Sequence, residues 1–387
     1  MSYQSILCIY YPQQLLPALV ALRHYRQLRH QQLEQPTLIY VRITANNTQG
    51  QALADAIQKL VRHIEWVTVV ITFPKSWGMI SEYHLPVKWR AFSLRRHYRV
   101  HAIQEIFYVH DVTSDFIAQT WMQAFPKATR ICFGDSLGIV YSQKYFTQLI
   151  YATEGTTHRF TIQLKSWLKK ARRRFVLPRT PLNAHRAILM IPSDPGGDFL
   201  INIPLDIPSR ANIQSVLTLL EANTPNELQH IKRTPDIEKN KKNTLVFFIL
   251  SNLNEAKLTT LNNEIRLYQD IIDTHAPKNA QLLIKAHPGS NAHTLTALKT
   301  QLTHPGGIDY IPQAHAVYPV ELNKTLLFET EKILSISYSS VSIPYLYGIE
   351  VVHALDATLI DKYFKDESKK WMQEGNEQYL QMREASL

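Results

Sequence analysis

The sequence predicts an α/β protein of two domains, each a mostly parallel, doubly wound sheet with helices on both faces. Three observations carry this. The chain has 387 residues, more than one typical domain holds and enough for two of ordinary size. Short apolar runs alternate with stretches of helical periodicity, which is the punctuation of βαβ units. The alternation breaks at a basic, proline-punctuated stretch near the middle and then starts again.

The elements follow in order. The opening "MSYQSILCIYYPQQLLPALVAL" has no basic residues ahead of its apolar ones, so it reads as a strand and a helix rather than a signal peptide. The strands expected in the first half are Ile6–Tyr10, Thr37–Val41, Trp66–Thr72, Glu105–Val109 and Thr129–Phe133. Helical stretches lie between them, for instance Gln51–His63 and Ser114–Phe125. "LKSWLKKARRRFVLPRTPLN" then interrupts the pattern, which places the domain boundary near Pro178–Asn183. The second half offers strands at Ala187–Ile191, Thr244–Leu250, Gln281–Ala286, Ile308–Ile311, Ile333–Ile336 and Val351–His353. The polar run 230–243 reads as a surface loop. The expected division is an N-terminal domain over 1–178 and a C-terminal domain over 184–361, with a last helix, about 362–387, packing back on the first domain. Two such Rossmann-like domains face a cleft, and ligands of doubly wound sheets bind at the carboxyl ends of the strands.

Composition narrows the classes. The chain is 45% hydrophobic and 19% charged, as a globular protein is, and no apolar run reaches the ~18 residues that a membrane span needs. The net charge of +10 favours an anionic partner. Zinc-finger, RNP-like and basic-zipper patterns are missing from the sequence, so nucleic acid is not the leading choice. Cys8 and Cys132 lie in strand-like runs and read as core residues of a protein from a reducing cytoplasm. No Cys/His spacing suggests structural zinc.

Four stretches sit where a strand ends or a helix begins. In "RICFGDSLGIVYS" a strand ends at Phe133 and presents Asp135 in a turn, where Asp135 also reads as a helix cap. In "QLLIKAHPGS" an apolar strand ends at His287-Pro288-Gly289. A second His-Pro, His304-Pro305, follows a helical run and is expected at the opposite rim. In "HAVYPVELN" Glu321 lies at a helix start, a position that the helix dipole also favours. In "LSISYSSVSIPYLYGIE" Ser339 and Ser340 open a helix and suit an anion, or a double cap.

In order and spacing this set resembles the bacterial sialyltransferases of two-domain GT-B fold, in particular the capsular polysialyltransferases. That family has an acidic motif in its N-terminal domain, then a His-Pro, a glutamate and a serine pair. The first acid and the glycine of the acidic motif are replaced here, so only Asp135 matches it. The resemblance implies an inverting, metal-independent transfer of a sialic-acid-like nonulosonic acid from a CMP-activated donor to a glycan or glycolipid acceptor, with no cofactor. No Asp-x-Asp motif is present to hold a divalent ion. The resemblance implies roles as well. Asp135 is the general base for the acceptor hydroxyl. His287, beside Pro288, assists departure of the CMP phosphate, as a hydrogen-bond or proton donor. Ser339 and Ser340 hold that phosphate, and Glu321 accepts from the ribose hydroxyls.

The basic tract 158–179 carries Lys169, Lys170, Arg172, Arg173 and Arg174 with Trp167, Leu168 and Phe175 interleaved. Three readings stand for it: a solvated helix face, a helix on an anionic membrane surface, or a groove for a polyanionic acceptor that Arg90, Arg95, Arg96 and Arg99 would join. The membrane reading suits an enzyme on the inner face of the inner membrane. The rival functions are a CDP-polyol phosphotransferase of the teichoic-acid polymerase type and an inactive glycan-binding relative. The former usually has Asp where Ser337 stands, and a second histidine, for which His110 is the candidate.

Overall fold

In the computed structural model the expected runs form strands because each is apolar on both faces, which only a covered parallel sheet can bury. The structure describes residues 3–43, 47–73, 76–77, 80–81, 85–109, 116–134, 183–192, 203–224 and 244–386. The first sheet contains β1 (Ser5–Ile9), β2 (Thr37–Arg42), β3 (Val67–Thr72), β4 (Glu105–Val109), β5 (Thr129–Gly134), β6 (Arg186–Leu189) and β7 (Leu205–Asp206). Its order is β3-β2-β1-β4-β5-β6-β7, and every pairing is parallel. Helices α1 (Leu15–Leu28), α2 (Thr48–Val61), α3 (Val87–His97) and α4 (Phe116–Ala124) connect its strands. Cys8 and Cys132 are buried as core residues and are not joined in a disulfide.

A buried polar cluster fixes the register at the amino ends of this sheet. Ser5 stands opposite Thr37 on one side and Glu105 on the other. Arg26, fully buried on α1, donates to Ser5 Oγ at 3.0 Å and Thr37 Oγ1 at 2.7 Å, and Ser5 Oγ donates to Glu105 at 2.5 Å. Burial lowers the pKa of Arg26 and the Glu105 carboxylate opposes that. A buried network of this kind disfavours a slipped register, which would strand a buried charge.

The boundary differs from the one expected. The first compact unit ends at Asn223 and the second begins at Thr224. Strand β6 does not open the second sheet. It pairs with β5, Ile131 opposite Arg186 and Gly134 opposite Leu189, and α5 (Arg210–Glu221) packs on α1. The edge of β5 offers unpaired backbone that the apolar run at 186–189 satisfies. The proline-punctuated stretch thus interrupts the pattern without ending the domain.

The second sheet contains β8 (Leu245–Ile249), β9 (Gln281–Lys285), β10 (Ile308–Tyr310), β11 (Lys332–Ser335) and β12 (Val351–His353). Its order is β10-β9-β8-β11-β12, again all parallel. Strand order therefore reverses between β8 and β11, the switch point at which doubly wound sheets open a crevice. Helices α6 (Leu261–His275) and α7 (Ala292–Gln301) cover β8 and β9. The short α8 (Ser342–Tyr347) follows β11, and α9 (Ala357–Tyr363) and α10 (Asp366–Ser386) close the chain. The last helix belongs to the second compact unit. Tyr379 of α10 stacks on His353 at 4.1 Å, and Asn376 meets His353 Nε2 at 2.6 Å.

Candidate functional site

The loops after β8, β9 and β11 leave the same end of the second sheet, because the strands are parallel. His287 is in the loop after β9. The Gly289 N–H points at His287 Nδ1 at 2.9 Å, and the Ser290 N–H returns to the His287 carbonyl at 3.0 Å. A donor aimed at Nδ1 requires a lone pair there, so the ring proton is on Nε2. Burial, helped by the charge of Lys285, pushes the His287 pKa down to about 4. The resting histidine is therefore a neutral Nε2–H donor. Pro288 is buried beside it.

Position 289 leaves little room for a side chain. A Cβ there would lie 3.0 Å from both His287 Nδ1 and Asn252 Nδ2. The two nitrogens are thus no more than about 6 Å apart.

Lys285, two residues earlier, is buried and donates to the Ala316 carbonyl at 2.7 Å. Burial lowers its pKa to about 8, against the Glu321 carboxylate, which raises it. Lys285 thus feels Glu321 while itself acting on His287. It couples two of the expected residues, a role its place in an apolar strand did not announce.

Glu321 occupies a single helical turn, Val320–Leu322. Ser342 Oγ donates to Glu321 Oε1 at 2.6 Å, and the Tyr347 hydroxyl donates to the Glu321 carbonyl at 2.6 Å. Both partners are on α8, directly after the serine pair. The pair itself divides. Ser339 is exposed, and its hydroxyl meets that of Ser337 at 2.8 Å. Ser340 is buried, and its hydroxyl donates to the Ser337 carbonyl at 2.6 Å. Ser339 is thus presented to solvent while Ser340 closes the turn. Ser342, which orients Glu321, escaped sequence reasoning because it reads as one more small residue of a helix.

The loop after β8 is held from below. Glu264 on α6 is buried, and its carboxylate accepts from the Leu253 N–H at 3.1 Å, the Asn254 N–H at 3.0 Å and the Tyr268 hydroxyl at 2.8 Å. Burial raises its pKa to about 7, against those hydrogen bonds. Glu255 accepts from the Asn291 N–H at 2.9 Å, which ties this loop to the start of α7.

Other expectations fall elsewhere. His304 Nε2 meets the Ala280 carbonyl at 2.9 Å, just before β9 begins, at the opposite rim as expected. Arg95, Arg96 and Arg99 are exposed. Arg90 is not available to a ligand: it is buried and donates to Thr120 Oγ1 at 2.7 Å and the Leu85 carbonyl at 3.2 Å, which holds α3 to α4. Asp135, His110 and the tract with Lys169, Lys170, Arg172, Arg173 and Arg174 lie outside the described residues. β5 ends at Gly134, directly before Asp135. Among the described residues no group of three or more His, Cys, Asp or Glu side chains is placed to hold a metal ion.

A sequence model of the family described as Alpha-2,8-polysialyltransferase (POLYST) matches residues 26–322. No curated protein sequence matches the chain. Among solved structures, one similar chain is the S. aureus MnaA–UDP co-structure, with 10% identity, coverage of 99% of this chain and 91% of that one, and a TM-score of 0.49. The UDP-GlcNAc 2-epimerase from Neisseria meningitidis, bound to UDP-GlcNAc, is 15% identical over 90% of this chain and 82% of that one, with a TM-score of 0.47. The GT-B domain of the sialyltransferase from Photobacterium damselae is 10% identical over 88% of each chain, with a TM-score of 0.39.

Proposed function

Since the chain belongs to the alpha-2,8-polysialyltransferase family, and is on that ground a glycosyltransferase, we propose that it transfers a sialic-acid-like nonulosonic acid from a CMP-activated donor to a glycan hydroxyl, with inversion and without a metal. The observation that supports this reading is the tie at the carboxyl end of β9, where Lys285, two residues before His287, donates to the carbonyl of Ala316, five residues before Glu321, at 2.7 Å. It draws the histidine and the glutamate of the resemblance into one neighbourhood.

In this reaction the acceptor hydroxyl loses its proton to Asp135 and its oxygen attacks the anomeric carbon. The bond from that carbon to CMP breaks, and its electron pair goes to a phosphate oxygen. His287 donates from Nε2–H to that oxygen as its charge grows, while the Ser339 hydroxyl donates to the same phosphate. Glu321, oriented by Ser342, accepts from the ribose hydroxyls. A bound phosphate raises the affinity of His287 for a second proton, so a hydrogen-bond donor becomes a stronger one as the leaving group departs.

The acceptor is a glycan or glycolipid of a surface polysaccharide. The enzyme acts from the cytoplasmic face, and the basic tract that includes Lys169, Lys170 and Arg172–Arg174 meets either the anionic membrane or the acceptor. Among the described residues no helix is long and apolar enough to cross a membrane. The test is CMP release on separate incubation with CMP-sialic acid, CMP-Kdo and CDP-glycerol. Release from a CMP-sugar, increased by a glycan acceptor, is expected. Release from CDP-glycerol alone would make the protein a polyol phosphotransferase, and release from none would make it a binding protein.

A further inference from the structure

The crevice at the switch point of the second sheet has two walls, the loop after β8 and the loop after β11. The residues drawn so far come from β9 and the segments around β11. The β8 loop, "SNLNEAK" from Ser251, has no assigned part, yet it is the more elaborately built. A buried carboxylate, Glu264, takes the N–H groups of Leu253 and Asn254. The Tyr268 hydroxyl donates to the Ser251 carbonyl at 2.9 Å. The Asn252 carbonyl accepts from the Ala256 N–H at 3.0 Å, which completes the turn with backbone alone. The loop is thus held by every residue around Asn252 except by the Asn252 side chain.

That side chain points at the histidine loop. Its amide nitrogen shares with His287 Nδ1 the small space that Gly289 leaves open. It is half-exposed, and among the described residues no group pairs with its amide. An unpaired amide on a rigid loop beside a catalytic imidazole loses little freedom when it meets a ligand, which is how a positioned donor gains strength.

We infer that Asn252 is a donor-phosphate ligand: its side-chain N–H donates to the phosphate of CMP alongside His287, from the β8 wall of the crevice. The inference rests on the functional reading above. It assigns to Asn252 the anion and not the nucleoside, because its neighbour is the group that faces the phosphate rather than Glu321, which faces the ribose.

Calorimetry of the full-length protein with CMP and with cytidine tests this. Asn252→Ala is expected to weaken CMP about tenfold or more, the usual loss for a hydrogen bond to a charged group, and to leave cytidine unchanged. Asn252→Asp, nearly the same shape, is expected to lose more, since its carboxylate repels the phosphate. Unchanged melting temperatures establish that both variants are folded. Wild-type CMP affinity in both variants would overturn the assignment while leaving the function intact. Equal loss of CMP and cytidine would also overturn it, by placing Asn252 on the nucleoside. If wild-type protein binds neither CMP nor cytidine, the functional reading itself fails and takes the inference with it.

Discussion

Protonation of His287 is predicted to cost the fold stability in weak acid. The folded pKa is about 4, pushed down from the ordinary 6.5 first by burial and then by Lys285. Between those two values the unfolded chain binds a proton that the folded chain refuses. Stability therefore rises with pH across that window and is lost as pH falls. Linkage with these two pKa values gives a loss of about 2 kcal/mol on going from pH 7.5 to 5, and about 3 kcal/mol by pH 4. His353 is lowered to about 4 as well, chiefly by burial, and adds a loss of similar size and the same sign. The assay is urea unfolding of wild type and His287→Asn at pH 7.5 and 5. Comparing the two slopes cancels every group they share. The wild type is expected to lose about 2 kcal/mol more than the variant over this range. Equal losses would mean that His287 titrates in the fold as it does in the unfolded chain, and the argument that burial and Lys285 hold its pKa down would be wrong.

Two further outcomes are expected. Glu321→Ala should weaken CMP but leave binding of inorganic phosphate unaffected, and Ser342→Ala should reproduce part of that loss, about 1 kcal/mol by calorimetry, because it frees the carboxylate it orients. Asp135→Asn should reduce transfer to an acceptor by about 10²-fold or more while sparing slow hydrolysis of the donor, whereas His287→Ala should slow both, since leaving-group assistance is needed whichever nucleophile attacks. CMP release with and without acceptor separates these cases.

Most strands were legible in the sequence to within a residue or two, and β7 was not. Gln281–Lys285, Glu105–Val109 and Val351–His353 are uninterrupted apolar or β-favouring runs, and burial on both faces of a parallel sheet leaves such runs one place to go. The end of β9 was legible for the same reason, since proline and glycine stop the strand and leave His287 at its carboxyl end. Tertiary structure alone decided what depends on partners distant in the chain. The run at 186–189 looks like any first strand, and only the open edge of β5 assigns it to the first sheet and moves the boundary to Asn223. Ser342 matters because Glu321 lies 2.6 Å from it, and Asn252 because its amide borders the same space beside Gly289 as the His287 imidazole. Neither residue type nor spacing encodes those meetings. The tautomer of His287 likewise follows from one backbone N–H, and its low pKa from burial that only the packed loops provide. Periodicity reports which face of an element is buried, and a site is made where elements with unrelated periodicities converge.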